Sequence, residues 1–436
     1  MHTHRRFILI LALLVCLTGA ASAQSGYTWQ IPANSPSTGS VKFDDIYFID
    51  SLTGMACNGD GVAYRTTDGG VTWVNVLQNS QSYFRSVVMT DALHAWVGNF
   101  GNFPGSTNPD TVPLYQTSDG GSTWSPAPIP TNTDIGICGL FRVGSQHLYG
   151  VGRVQGPSTF VRSTDAGVTW SYTDMAPFAD FLVDLHFSGV DTGIVIGGTD
   201  NSLQTSHPLI LRTVDGGMSW DTVYIGGGAP ETWCWKVDFP SPNIGYASIE
   251  GASAPVQCLK TTDAGLTWNV QTISNSQFNL QGIGFVNELV GWAGGYYGSH
   301  LHETTDGGVN WTPSSTIPVN LNRIRRLSPT LLWASGIRLY KITPTPATST
   351  APPEHEQLDW QLRRCNSGQC VMIDIPNPDP LLQYELRMYD VVGREMRTQP
   401  LTTPASTMIS LEGVPNTFIY FVVTEGQRQS CRLYAR

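Results

Sequence analysis

Thr304-Thr305-Asp306-Gly307-Gly308-Val309-Asn310-Trp311 is the last of six copies of one phrase, Ser/Thr-x-Asp-x-Gly-x-Thr-Trp or a close variant. The earlier copies occupy residues 66–73, 117–124, 163–170, 213–220 and 261–268. Their tryptophans, Trp73, Trp124, Trp170, Trp220, Trp268 and Trp311, lie 51, 46, 50, 48 and 43 residues apart. A period in the forties marks one supersecondary unit stacked many times.

Each period carries more than the phrase. An apolar run ends in a bulky residue: Phe48, Met89, Phe141, Phe187, Phe239, Phe285 and Leu327. A second marked position follows at Met55, Trp96, Tyr149, Ile194, Tyr246, Trp292 and Trp333. A third apolar run enters the phrase, as at 62–65, 209–212 and 256–260, and a fourth begins at its Trp. Four short strands per period match a propeller blade. Asp followed by Gly-Gly or Ala-Gly predicts a tight turn with glycine at positive φ. Its carboxylate would accept turn N–H groups, and the Trp would bury apolar surface against a neighbour. Asp68, Asp119, Asp165, Asp215, Asp263 and Asp306 therefore read as turn clasps rather than catalytic groups.

Two half-copies complete the count. Tyr27-Thr28-Trp29 has the Trp without the Asp phrase, and residues 333–343 end where the next phrase would begin. Joined, they predict an all-β, seven-bladed β-propeller over residues 24–343, closed by both ends of the domain, which removes open sheet edges.

The phrase resembles the Asp-box, or BNR repeat, of sialidases, sortilin-type receptors, xyloglucan-cleaving hydrolases and the photosystem II stability/assembly factor group. Gly291-Trp292-Ala293-Gly294 leading into residues 304–311 is most similar to the last group. That resemblance implies seven blades and leaves the ligand open.

Both ends read as addresses. Arg5 and Arg6, the apolar residues 7–18 and Ala21-Ser22-Ala23 predict a signal peptide over residues 1–23, too short to span a bilayer. Residues 344–357 form a Pro/Thr-rich linker. Residues 358–436 predict a small C-terminal β-sandwich. Its ordered elements Asn377-Pro378, Asp390-x-x-Gly393-Arg394 and Leu411-x-Gly413 resemble the type A C-terminal sorting domain of the type IX (Por) secretion system. The resemblance implies that the type IX secretion machinery is a partner and that the protein is secreted or held at the outer cell surface. No segment has the length of a spanning helix, so the chain is expected not to be transmembrane.

Charged residues make up only 13% of the chain, as suits many short strands and turns, and the net charge of −10 argues against nucleic acid as a partner. Seven cysteines follow the leader. Cys365 and Cys370 flank a turn-like stretch and could bridge, and Cys234 and Cys258 fall within one repeat and could also pair. No zinc-ligand spacing appears, so neither a metal nor another cofactor is expected. His300 and His302 share a strand face, which is expected to be exposed.

Chemistry must lie where the repeat is broken. Arg65, Arg162 and Arg212 hold equivalent places before the phrase and read as scaffold. Few arginines remain for the triad a sialidase-like site would need. Non-repeated residues near the starts of the innermost strands are the binding candidates: Asp44, Asp45, Arg85, Asp184, Trp235, Lys236 and Arg323, with Tyr296 and Tyr297 as extra aromatics. The leading expectation is a non-enzymatic binding or assembly-type protein for a protein or glycan ligand. The alternative is a secreted glycoside hydrolase using carboxylates on the propeller face.

Overall fold

The computed structural model describes residues 25–435 except 39–40, 103–108, 131–134, 203, 228–230, 297–299, 315–319, 346–359, 366–369, 376–383, 390–394, 402–405, 413–417 and 426–427. The chain divides into two compact units, Met1–Pro344 and Thr345–Arg436. Among the described residues all regular structure is strand. Among the described residues no helix is long and apolar enough to cross a membrane.

The first unit holds seven four-stranded antiparallel sheets among its described residues. Six use four consecutive strands, as in Phe43–Phe48, Gly54–Asn58, Val62–Thr66 and Val74–Gln78. The remaining sheet takes Arg323–Ser328, Leu331–Ser335 and Leu339–Pro344 from one end of the unit and Tyr27–Gln30 from the other. Trp29 lies opposite Ile342 in that pairing. First strands of successive sheets contact one another, and Phe43–Phe48 contacts Arg323–Ser328. Their apolar faces form successive buried clusters between neighbouring sheets.

Every copy of the phrase folds into the same clasp. Thr66 donates its hydroxyl to Asp68 at 2.8 Å and accepts the Gly70 N–H at 2.9 Å. Asp68 also accepts the Thr72 N–H at 2.9 Å. Hydrogen bonds of the same kind hold Asp119, Asp165, Asp215, Asp263 and Asp306. The connection is longer than a two-residue hairpin and uses two successive left-handed residues, such as Gly307 (φ 71°) and Gly308 (φ 82°). Ala166 and Ala264 adopt that conformation too, at φ 58° and 59°.

The clasp also joins neighbours. Arg65 donates to the Gly120 carbonyl at 2.7 Å, Arg162 to Gly216 at 2.8 Å and Lys260 to Gly307 at 2.6 Å. A Cβ at Gly70 would meet the Trp333 ring at 2.3 Å, and one at Gly167 would meet Trp96 at 2.5 Å. Glycine is needed there twice over, for positive φ and for close approach.

The second unit pairs Gln361–Arg364, Cys370–Asp374 and Thr407–Ser410 in one sheet. A four-stranded sheet is built from Glu395–Pro400, Tyr384–Tyr389, Phe418–Glu425 and Arg428–Ala435. Both sheets supply one core that includes Val371, Ile373, Leu386, Met388 and Ile409. The Cys365–Cys370 disulfide forms as expected.

Two expectations are corrected. Cys234 and Cys258 are free, buried thiols. Cys234 lies opposite Ile249 and Cys258 opposite Ser248, on the two flanking strands of Gly245–Gly251. Two strand spacings put them roughly 9–10 Å apart, beyond a disulfide's reach, and they pack into different apolar clusters. His302 is buried rather than exposed, and both His300 and His302 stack on Phe278, at 5.1 and 5.2 Å. The leader lies outside the described residues, as do Asn377, Pro378, Asp390, Gly393, Arg394 and Gly413.

Candidate functional site: a buried charged cluster

The first strands converge on a polar interior because five of them shift register near their starts. The shifts fall at Phe43/Asp45, Phe84/Ser86, Leu182/Asp184, Cys234/Val237 and Leu280/Gly282. A bulge leaves ladder groups unpaired and re-aims side chains. Carboxylates of one strand take up N–H groups of the next: Asp45 accepts from Val87 at 3.2 Å, Asp184 from Val237 at 3.0 Å and Asp238 from Phe285 at 2.8 Å. These aspartates tie adjacent sheets together from inside.

Cations fill the space between them. Arg323 makes two 2.7 Å hydrogen bonds to the two oxygens of Asp184, and its Nε sits 3.2 Å from Asp45. Arg325 approaches Asp45 at 3.1 Å. Burial pushes the Asp184 carboxyl up, but the Arg323 and Lys236 charges outweigh it and hold it at about 2. Lys236 is fully buried with no hydrogen-bond partner on Nζ. Burial, reinforced by Arg323, lowers it to about 7.

Toward the strand starts the network becomes aromatic. Arg85 lies 3.1 Å from Asp44, and its guanidinium sits 4.8 Å from the Trp235 ring, 5.6 Å from Phe100 and 5.7 Å from Tyr83. Lys42 hydrogen-bonds Gln281 and Asn322 and faces Trp235 at 5.2 Å and Tyr296 at 4.7 Å. Both cations sit within cation–π range of these rings. Trp235 donates to Asn322 at 2.8 Å. Glu250 accepts from Gln281 at 2.8 Å and Trp233 at 3.2 Å. Burial lowers Lys42 to about 8 and raises Glu250.

Asp44, Asp45, Arg85, Asp184, Trp235, Lys236 and Arg323 are therefore brought together, and all are buried. Tyr296 is half-buried beside them, and Tyr297 lies outside the described residues. Sequence reasoning missed Lys42, Asp238, Glu250, Gln281, Asn322 and Arg325. Their signal is a polar side chain in or next to an otherwise apolar inner strand. No cluster of three metal-ligating side chains occurs among the described residues.

No protein-family model matches the chain. No curated protein sequence matches it either. Solved structures do. "YCF48 bound to D1 peptide" superposes with a TM-score of 0.53 at 18% identity, covering 74% of this chain and 96% of that one. YCF48 from Cyanidioschyzon merolae gives 0.55 at 16% identity, over 72% and 99%. The GH74 xyloglucanase from Xanthomonas campestris gives 0.50 at 13%, over 93% and 75%. These likenesses establish that the chain contains a β-propeller.

Proposed function

We propose that this protein is an exported, non-enzymatic binding protein that holds a segment of another protein at the strand-start mouth of its channel. Its seven sheets act as the blades of a ring closed by Tyr27–Gln30, the expected Asp-box propeller. Residues 1–23 direct export, and residues 358–436, joined by the linker 344–357, engage the type IX secretion machinery for delivery to the surface or medium.

The observation that carries the reading is the state of the channel carboxylates. Asp44, Asp45 and Asp184 each face arginine. Glycoside hydrolysis needs one carboxyl as acid and another free as base or nucleophile. What the mouth offers is a rim of half-buried rings, Tyr83, Phe100, Trp233 and Tyr296, around the buried cations Lys42 and Arg85. Aromatic and arginine anchors of this kind dominate protein interfaces. The peptide held by the similar YCF48 structure supports a protein ligand.

One observation favours the hydrolase reading: Glu250, raised by burial and hydrogen-bonded by Trp233, has the environment of a general acid. The mature full chain probed on a peptide array separates the two. Binding to a subset of peptides, weakened roughly tenfold or more by Trp233→Ala, is expected. Release of reducing ends from xyloglucan or other glycans, abolished by Glu250→Gln, would replace this proposal with the enzyme. Absence of any peptide binding would also end it.

A further inference from the structure

The opposite mouth of the channel, where the first strands end, has a different chemistry. A cavity of about 160 Å³ is lined there by Tyr47, Phe48, Phe141, Arg142, Arg325, Arg326, Leu327 and Trp333. Three of these are arginines and none is acidic. We infer that this cavity is a binding site for a small monocarboxylate with an apolar or aromatic body, gripped by Arg142, Arg325 and Arg326.

Two of the three guanidiniums are held in place by groups that do not neutralise them. Arg142 donates from Nε to the Tyr47 hydroxyl at 2.8 Å and from Nη1 to the Gly144 carbonyl at 2.9 Å. Arg326 donates from Nη1 to the carbonyls of Pro240 and Val286, at 2.9 and 3.1 Å. Arg325 alone reaches a carboxylate, Asp45, through Nη2, and its buried Nε has no hydrogen-bond partner. Asp45 is already shared with Arg323 and with the N–H groups of Ile46 and Val87. Asp238, whose charge Arg326 feels, is itself pushed toward the neutral acid by burial.

Like charges gathered around one cavity repel unless an anion joins them. Tyr47 fixes two of them together, with Arg142 5.8 Å and Arg325 5.4 Å from its ring. His186, stacked on Phe239 at 4.5 Å and edge-on to Phe141 at 4.9 Å, adds no charge near neutral pH, because burial lowers it to about 4. The remaining walls are apolar or aromatic. A planar guanidinium fork matches a carboxylate edge-on, while the walls would cover an apolar body rather than a hydrated phosphate. The volume equals roughly five waters' share of liquid, which suits a small acid and not a chain terminus.

The test is titration of the mature full chain with benzoate, benzamide, inorganic sulfate and N-acetylphenylalaninate, followed by calorimetry. Benzoate is expected to bind one to one, and benzamide at least tenfold more weakly. Arg142→Gln and Arg326→Gln should each cost benzoate affinity tenfold or more, and Arg142→Lys should not restore it. Near-ultraviolet circular dichroism checks that the variants fold. If they do not, the benzoate–benzamide difference on the wild type still decides. No benzoate binding, equal binding of benzamide, or tighter binding of sulfate or N-acetylphenylalaninate would overturn the assignment.

Discussion

Phe48 and Trp333 stack face to face, with ring centroids 4.4 Å apart and planes 9° from parallel. Phe48 ends the first strand of the first complete sheet, and Trp333 sits on the middle of the sheet that contains both ends of the unit. The same stack recurs between consecutive sheets, at 3.8 Å for Tyr149 and Phe187 and at 3.7 Å for Tyr246 and Phe285. If the sheets form a closed ring, Trp333 is its latch. Trp333→Ala is then expected to destabilise the protein by about 3–5 kcal/mol, read as a lower urea midpoint. Unchanged stability would count against closure at this seam.

The two alanine clasps carry a conformational cost that their glycine counterparts escape. Ala166 and Ala264 sit at φ 58° and 59°, where a Cβ is disfavoured by about 1–2 kcal/mol. Ala264→Gly also loosens the unfolded chain, which offsets about 0.4–1 kcal/mol of that gain. A net stabilisation of up to about 1.6 kcal/mol is expected from denaturant unfolding. A clear loss would mean that the methyl group packs usefully in place.

The clasp carboxylates set the behaviour in acid. Hydrogen bonds from Thr123 hold Asp119 at about 2, and those from Ser219 and Thr267 do the same for Asp215 and Asp263. A folded pKa below the unfolded 3.8 stabilises the fold above pH 3.8, and the effect is lost as pH falls toward 2. Melting temperature should therefore fall between those values, modestly because the three carboxylates are exposed. Thr123→Val should move the Asp119 carboxyl upward in an NMR titration. No movement would show that its hydroxyl plays no part.

The repeat was legible because the clasp depends on local chemistry: a hydroxyl, a carboxylate and two left-handed residues within eight positions. The buried charged cluster was legible only in part. Asp44, Arg85 and Lys236 break the repeat, so they stand out. Lys42 and Asn322 lie just before their strands and look like solvated loop residues until the sheets meet. Pairing of Cys234 with Cys258 was misread because both lie in one period, while their strands are separated by Gly245–Gly251.

Those thiols give a direct check. Burial raises all four of Cys57, Cys138, Cys234 and Cys258, with Cys258 pushed up to about 12. In the native protein they should resist a thiol reagent at pH 8 and react once it is unfolded in guanidinium. Mass spectrometry should find the Cys365–Cys370 link closed. A Cys234–Cys258 disulfide in the same digest would contradict the strand order.

Arg323 is the charge on which the buried polar cluster depends. It serves Asp45 and Asp184 at once, and both are buried. Arg323→Ala would strand two carboxylates without their main cation, which costs about 3–5 kcal/mol for a broken buried pair. The same change removes the like charge that most opposes the Lys236 ammonium, so that amine should titrate above its present value of about 7. Replacing Arg323 and Asp184 together by methionine and leucine should recover part of the lost stability, because Asp184 is then no longer stranded, while Asp45 keeps Arg325 alone. A double-mutant cycle measures the coupling. If the double variant were no more stable than Arg323→Ala, loss of the hydrogen bond from the Val237 N–H to the Asp184 carboxylate would cancel the gain, and the charge pair would not be what sets the cost.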